Sequence, residues 1–341
     1  LLSCRPQPHA RRMIPKYVNN DLKAMYRGRV FYARDAIDSI KIMQELTEKP
    51  KQTAKPTPSD SRPVTEKNTT VANLSAPRSE ANRHQFFADF KPFKAPFAGS
   101  HLLEIESSEL FKLLSHKVLF EARWGYKRGD LPEIKYAELL EKQAMPALKK
   151  FVDLDEKENL FESRAVYGYY RCRAHGDSIA IYDETDLKIG EFNFPRQGRA
   201  PHLCISDFVD EREDTIVLWA VTVGNRVIEA EKKLFGADRY CDYHLLHGLG
   251  AELADCAAAY VHRHVHRELN QDKPLTAEQL IGCRYSFGYP ACPDLSAQRE
   301  LFRLLQAGRI GLSLTTSDQM VPELSVSGFV ILNHHARYFV P

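Results

Sequence analysis

The 341-residue sequence is poor in net charge: 47 Lys and Arg stand against 45 Asp and Glu, a formal balance of +2. That leaves no electrostatic case for a nucleic-acid or membrane-surface partner. No apolar run approaches the ~20 residues that span a bilayer, which leads us to expect a cytoplasmic protein. The seven cysteines are scattered, odd in number and never spaced C-x-x-C. This suits free thiols in a reducing compartment and argues against a disulfide framework or a zinc cluster. No internal repeat is present. No glycine-rich strand-to-helix turn followed by an acidic residue appears, which disfavours a conventional methyltransferase sheet. A chain that opens on Leu1 is expected to be a fragment, or the downstream part of a longer gene product.

What is present falls into three stretches. Gly28-Arg-Val-Phe-Tyr32 reads as a strand. Ile37, Ile40, Met43 and Leu46 then recur every three residues, as on an amphipathic helix. A strand and a helix cannot bury a core alone, so residues 1–47 are expected to be the end of an α/β domain. Residues 48–95 form a linker: five prolines among Lys, Thr, Ser and Asn up to residue 83, then an aromatic lead-in (Phe86, Phe87, Phe90, Phe93) expected to dock on the next domain.

Residues 96–341 make the main domain. Helices are predicted over Ser107–Leu119 and Lys135–Val152, the second kinked or restarted at Pro146. β-Branched and aromatic runs at Ala165–Arg171, Ser178–Asp183 and Lys188–Phe194 read as an antiparallel meander, with the apolar Thr215–Val223 at its centre. A long helix follows over Tyr240–Arg267, then a short one opening at Thr276. A further helix is predicted over Leu295–Gln306 and a last strand over Ser325–Leu332. The fold class expected is α+β, a central antiparallel twisted sheet with flanking helices.

Between those last helices lies Arg284-Tyr-Ser-Phe-Gly-Tyr-Pro-Ala-Cys-Pro-Asp294. Two prolines three apart remove backbone donors, so Tyr289–Pro293 is neither helix interior nor central strand. The pre-proline residues Tyr289 and Cys292 are pushed toward extended geometry, and Gly288 accepts a positive φ. The stretch reads as a stiff extended strip with outward carbonyls. Arg284 at its entrance offers a planar fork for a carboxylate. Two readings stand: a rigid loop with a surface arginine, or a ligand surface.

The pattern Arg-x-x-x-Gly-Tyr-Pro-Ala-Cys-Pro resembles the S-adenosylmethionine-binding motif of the activation domain of cobalamin-dependent methionine synthase. Tyr26-x-Gly28-x-Val30-Phe-Tyr32-x-x-Asp35-Ala36 is similar to the end of that family's cobalamin-binding domain. Val166-Tyr-Gly168, Phe194-Pro-Arg-Gln197 and Cys204-Ile-Ser-Asp-Phe208 fall in order where it has similar signatures. Phe120-Glu-Ala-Arg-Trp124 keeps the family's tryptophan and departs around it.

The resemblance implies a reactivation domain: S-adenosylmethionine donates a methyl group to cobalamin after accidental oxidation, while a flavodoxin-type partner delivers an electron. Arg284 is implied to hold the ligand carboxylate, with Gly288, Tyr289, Ala291 and Cys292 framing it through backbone groups. Asp255 stands where the family has an acidic ligand contact, more often Glu; Glu252 is the alternative. Tyr338 matches a ligand-side tyrosine, with core closure as the other reading. The family's early ligand-contacting aspartate has no match near Lys142–Met145. No general acid or base is nominated. The chain alone lacks the homocysteine and folate sites and a complete cobalamin site, so cobalamin is expected to be bound by a domain in cis or trans. Two other classes remain. A free-standing module for a separate corrinoid protein would co-purify with one; a degenerate, interaction-only fragment would fail to bind S-adenosylmethionine.

Two histidine patterns are weighed as decoys. Asp242-Tyr-His244-Leu-Leu-His-Gly248 resembles a corrinoid ligand signature, with its glycine displaced and inside a helix. His262-x-His264-x-His266 would share a face only on a strand. The first pair is expected to be helix-surface histidines and the second set to complement the helix dipole, and no metal site is assigned.

Overall fold

The computed structural model describes residue 31, residues 86–87, 93–269 and 282–341. All but Phe31 belong to one of the two compact units into which the chain divides. The strand and helix expected in residues 28–46 (save Phe31, which is exposed), the linker over 48–83, Phe90 and the helix opening at Thr276 lie outside the described residues.

The elements run β1 (Gly99–Glu104), α1 (Ser107–Leu113), a π-helical turn (Val118–Arg123), α2 (Glu133–Leu139), a second π-helical turn (Leu140–Ala144) and α3 (Met145–Glu158). Then come β2 (Arg164–His175), β3 (Ser178–Tyr182), β4 (Lys188–Asn193), β5 (Asp214–Thr222), α4 (Arg226–Gly236) and α5 (Tyr240–Leu269). The domain ends with β6 (Cys283–Ser286), α6 (Gln298–Leu305), the hairpin β7 (Ser313–Leu314) and β8 (Met320–Val321), and β9 (Ser325–Ile331). Pro146 restarts the helix as expected, at the second position of α3 after the π-helical turn.

Among the described residues the main sheet has seven strands, ordered β4-β3-β2-β5-β9-β6, with β1 pairing β2 off this path. Every pairing is antiparallel. β2 has twelve residues, enough to pair β1 along its first half and β3 along its second. β5 sits between β2 and β9, and all nine of its residues are buried. Such a strand has no polar face, because both faces of the sheet are covered. Alternation sorts its side chains: Val217, Trp219 and Val221 enter one core with α5, while Ile216, Leu218 and Ala220 enter the other with Leu301 and Leu305 of α6. Each fully buried Val, Leu or Ile contributes about 1.5–3 kcal/mol.

The aromatic lead-in docks on this domain. Phe86 packs on Phe208, ring centroids 5.1 Å apart, and its carbonyl accepts a bond from Asn333 Nδ2. Phe97 stacks on His101 and meets Tyr169 edge-on at 5.0 Å.

Three expectations need correction. The first helix ends at Leu113, before the π-helical turn, instead of continuing to Leu119. The Arg284 stretch is not an extended strip: Cys283–Ser286 is a strand, and the chain then turns sharply. The long helix, α5, runs past Arg267 to Leu269, and its middle buries Glu252 along with Leu253 and Cys256.

A candidate ligand site at the sheet edge

Among the described residues β6 ends the strand order and pairs only with β9. Arg284 lies opposite Val330, and Tyr285 opposite Phe329. Because neighbours on a strand point to opposite faces, Arg284 faces the α5 side and Tyr285 the α6 side. The Arg284 guanidinium is half-buried. It lies over the Trp219 indole, 5.9 Å from the ring centroid. It forms no ion pair with any carboxylate of the described residues, a costly state for a half-buried charge unless an anion joins it.

After Ser286 the chain folds into a closed turn. The Gly288 amide donates to the Cys292 carbonyl at 2.9 Å, and the Cys292 amide to the Tyr289 carbonyl at 2.8 Å. Gly288 has φ +86°, the left-handed region that favours glycine. The outward carbonyls expected at Tyr289 and Cys292 are therefore engaged inside the turn. The side chains of Ala291 and Cys292 are buried in the α6-side core, and burial pushes the Cys292 thiol well up.

Tyr338 joins this turn from the C-terminus. Its ring lies 6.4 Å from that of Tyr285, whose hydroxyl donates to the Arg337 carbonyl at 2.9 Å. The Tyr338 hydroxyl is buried and makes no well-aligned hydrogen bond among the described residues; the Ala291 amide lies beside it and pulls its pKa down against the upward push of burial. An orphan buried hydroxyl is uncommon, and a bound group or water is its usual complement.

On the α5 side, Glu252 is buried and Asp255 half-buried. Arg123, the last residue of the π-helical turn, takes both: Nε donates to Glu252 at 3.2 Å and Nη2 to Asp255 at 2.6 Å. Burial pushes the Glu252 carboxyl up, against the pull of Arg123. Trp124 fixes this segment on α5 by donating Nε1–H to the Leu245 carbonyl at 2.8 Å. Cys256, one turn beyond Glu252, lies within the fields of Glu252, Asp255, Arg284 and Arg123, and burial pushes its thiol up to about 12.

The structure thus gathers the predicted residues into two groups across one edge strand. Gly288, Tyr289, Ala291, Cys292 and Tyr338 stand at the turn. Arg284 and Asp255 stand on the α5 side. Arg123 and Trp219 escaped the sequence reading. The departure of Phe120–Trp124 from the family pattern marked the first of them; nothing in an apolar strand marked the second.

The histidine decoys resolve differently from one another. His244 is exposed, whereas His247 is half-buried beside Glu231 at 3.3 Å, which raises its pKa. His266 is buried, with its Nε2 3.2 Å from that of His262. His264 meets the Tyr167 hydroxyl at 3.0 Å, and Glu268 accepts from both Tyr167 and Tyr169 at 2.8 Å. These side chains tie the end of α5 to β2. Among the described residues no cluster of three or more His, Cys, Asp or Glu is arranged for a metal ion.

An antiparallel sheet covered on both faces by helices, with an arginine unpaired among the described residues and a proline-bearing turn on its edge strand, defines an α+β domain. Residues 108–340 match the family profile described as "Vitamin B12 dependent methionine synthase, activation domain", and the chain belongs to that family. It is 31% identical over 370 residues to a methionine synthase of Mycobacterium tuberculosis (strain ATCC 25618 / H37Rv), covering 95% of this chain and 31% of that protein. It is 29% identical over 369 residues to a methionine synthase of Mycobacterium leprae (strain TN), covering 95% of this chain and 30% of that one. The chain therefore spans about a third of the length of the curated relatives it matches. A solved structure described as the MetH reactivation domain bound to AdoHcy superposes with a TM-score of 0.67 at 26% identity, covering 77% of this chain and 88% of that one.

Proposed function

We propose that this domain binds S-adenosylmethionine along the β6 edge and presents its methyl group to a cobalamin, the reactivation step of a cobalamin-dependent methionine synthase. The unpaired Arg284 guanidinium carries this reading. A carboxylate supplies the in-plane acceptors that the fork lacks, and the amino-acid end of the ligand has one. The orphan Tyr338 hydroxyl, beside the Ala291 amide, is a second complement for a polar ligand. Its ring gives a π face for a sulfonium, an attraction of about 0.5–2 kcal/mol. Asp255, or Glu252 in its place, would meet the ligand ammonium or ribose. The likeness to an AdoHcy-bound reactivation domain supports the same ligand class.

The chain's own work is positioning and exclusion of water, and no side chain has to move a proton. When bound, cobalamin supplies the reduced cobalt that accepts the methyl group, leaving S-adenosylhomocysteine. Its holder is a cobalamin-binding domain in cis or trans. Residues 1–47 are proposed as the tail of such a domain, 48–95 as linker and lead-in, and 96–341 as the activation domain. A flavodoxin-type donor in the cytoplasm would supply the electron.

Ligand-linked stabilisation tests the reading. At a ligand concentration a hundred times Kd, S-adenosylmethionine should stabilise the chain by about 2.7 kcal/mol in urea denaturation. An unchanged midpoint at millimolar ligand would contradict it.

A further inference from the structure

Tyr338 stands on a stretch with no helix or strand of its own: β9 ends at Ile331, and residues 336–340 are irregular. No sheet ladder fixes where its ring lies. Side chains of other elements do so instead, one on each flank. On one flank the buried Tyr285 of β6 donates its hydroxyl to the Arg337 carbonyl at 2.9 Å. On the other, Gln197 Nε2 donates to the Val340 carbonyl at 2.7 Å. Between them Phe339 is buried in the α6-side core, its ring 6.4 Å from that of Phe208.

Gln197 is placed for that bond. It is buried, and its amide uses both ends: Oε1 accepts from the Leu203 amide at 3.1 Å while Nε2 reaches Val340. A carbonyl only accepts and a backbone N–H only donates, so one orientation of the side-chain amide satisfies both. The loop around it is held closed. The Gln197 backbone amide donates to the Leu203 carbonyl at 2.9 Å. Arg196 donates to the His202 carbonyl at 2.6 Å and pairs with Asp207 at 2.7 Å. The Phe194-Pro-Arg-Gln197 and Cys204-Ile-Ser-Asp-Phe208 signatures thus meet at the segment that carries Tyr338.

We propose that Gln197 is a positioning residue for the ligand site: by fixing the Val340 carbonyl while Tyr285 fixes that of Arg337, it sets the Tyr338 ring against the sulfonium and so favours S-adenosylmethionine over the uncharged thioether S-adenosylhomocysteine. The inference rests on the reading of Tyr338 as a ligand-side residue. Gln197 acts only through the backbone.

Calorimetric titration of the full chain with both ligands tests this. Gln197→Met fills similar space without the donor. It should weaken S-adenosylmethionine about fivefold, equivalent to about 1 kcal/mol and within the range of a cation–π contact, and leave S-adenosylhomocysteine nearly unchanged. Tyr285→Phe, which loses the bond on the other flank and keeps the ring, should show the same ligand-selective loss, and it stands in if Gln197→Met does not fold. Tyr338→Leu should do at least as much, and adding Gln197→Met to it should weaken S-adenosylmethionine no further. Equal weakening of both ligands, as a merely structural role would give, weakening of neither, or additive losses in the double variant would overturn the proposal. If the parent binds both ligands and Tyr338→Leu leaves the preference between them unchanged, the ligand-side reading of Tyr338 fails and the role of Gln197 falls with it. A parent that binds neither ligand contradicts the proposed function itself.

Discussion

Gly328 passes so close to Tyr285 that a Cβ on it would stand 2.1 Å from the Tyr285 carbonyl oxygen and 2.8 Å from Trp219 Cζ2. Residue 328 pairs with Trp219 on one side and Ser286 on the other, so the contact fastens the edge strand to the sheet. Only a residue without a side chain lets the Trp219 indole lie across β9 toward β6.

Gly328→Ala should therefore destabilise the domain by about 3 kcal/mol, the upper part of the range for overpacking, because the atoms in the way include backbone. It should also weaken S-adenosylmethionine by displacing Arg284. Gly308→Ala meets nothing within 4 Å and is the control, expected within about 0.5 kcal/mol of the parent. Urea denaturation of the three proteins checks this.

Asp214 gives the domain a pH dependence. Its carboxylate accepts from the Thr215 amide at 2.7 Å and the Asp210 amide at 3.2 Å, yet burial raises its pKa from 3.8 to about 7. The folded state keeps a proton that the unfolded state has released. Its contribution is complete below the unfolded value and is lost as pH rises through about 7. Asp214→Asn, neutral throughout, should gain on the parent by about 2–3 kcal/mol between pH 5 and pH 8. Denaturation curves at the two pH values measure the difference, and parallel pH profiles would contradict it.

Trp124 should matter through its nitrogen. Trp124→Phe keeps an aromatic ring but loses the buried bond to the Leu245 carbonyl. A cost of about 1 kcal/mol is expected in urea denaturation. The segment carrying Arg123 should loosen with it, seen as faster amide exchange over Leu119–Trp124.

Much of the sheet was legible because its strands announce themselves. β2 to β5 and β9 are runs of β-branched and aromatic residues bounded by turn signals, and their boundaries hold to within a few residues. β1 carries Gly99-Ser-His-Leu-Leu-Glu104, with no alternation to read, and takes strand form only by pairing β2. β6 has four residues, and its pairing with β9 joins segments some forty residues apart. α4 buries Val227 fully and packs Ile228, Ala230 and Leu234 on the core only in part, a narrow apolar face among charged residues. The motif pointed to Arg284 and the turn, but nothing in the sequence paired the acids of α5 with a cation. Their partner, Arg123, is 129 and 132 residues away, a distance local pattern does not cross.

The central claim is that Arg284 grips the carboxylate of S-adenosylmethionine, and calorimetric titration of the parent chain and Arg284→Ala tests it most directly. Saturable binding by the parent, weakened in the variant by about 2–5 kcal/mol, is the predicted result. Equal affinities in the two proteins would contradict the account.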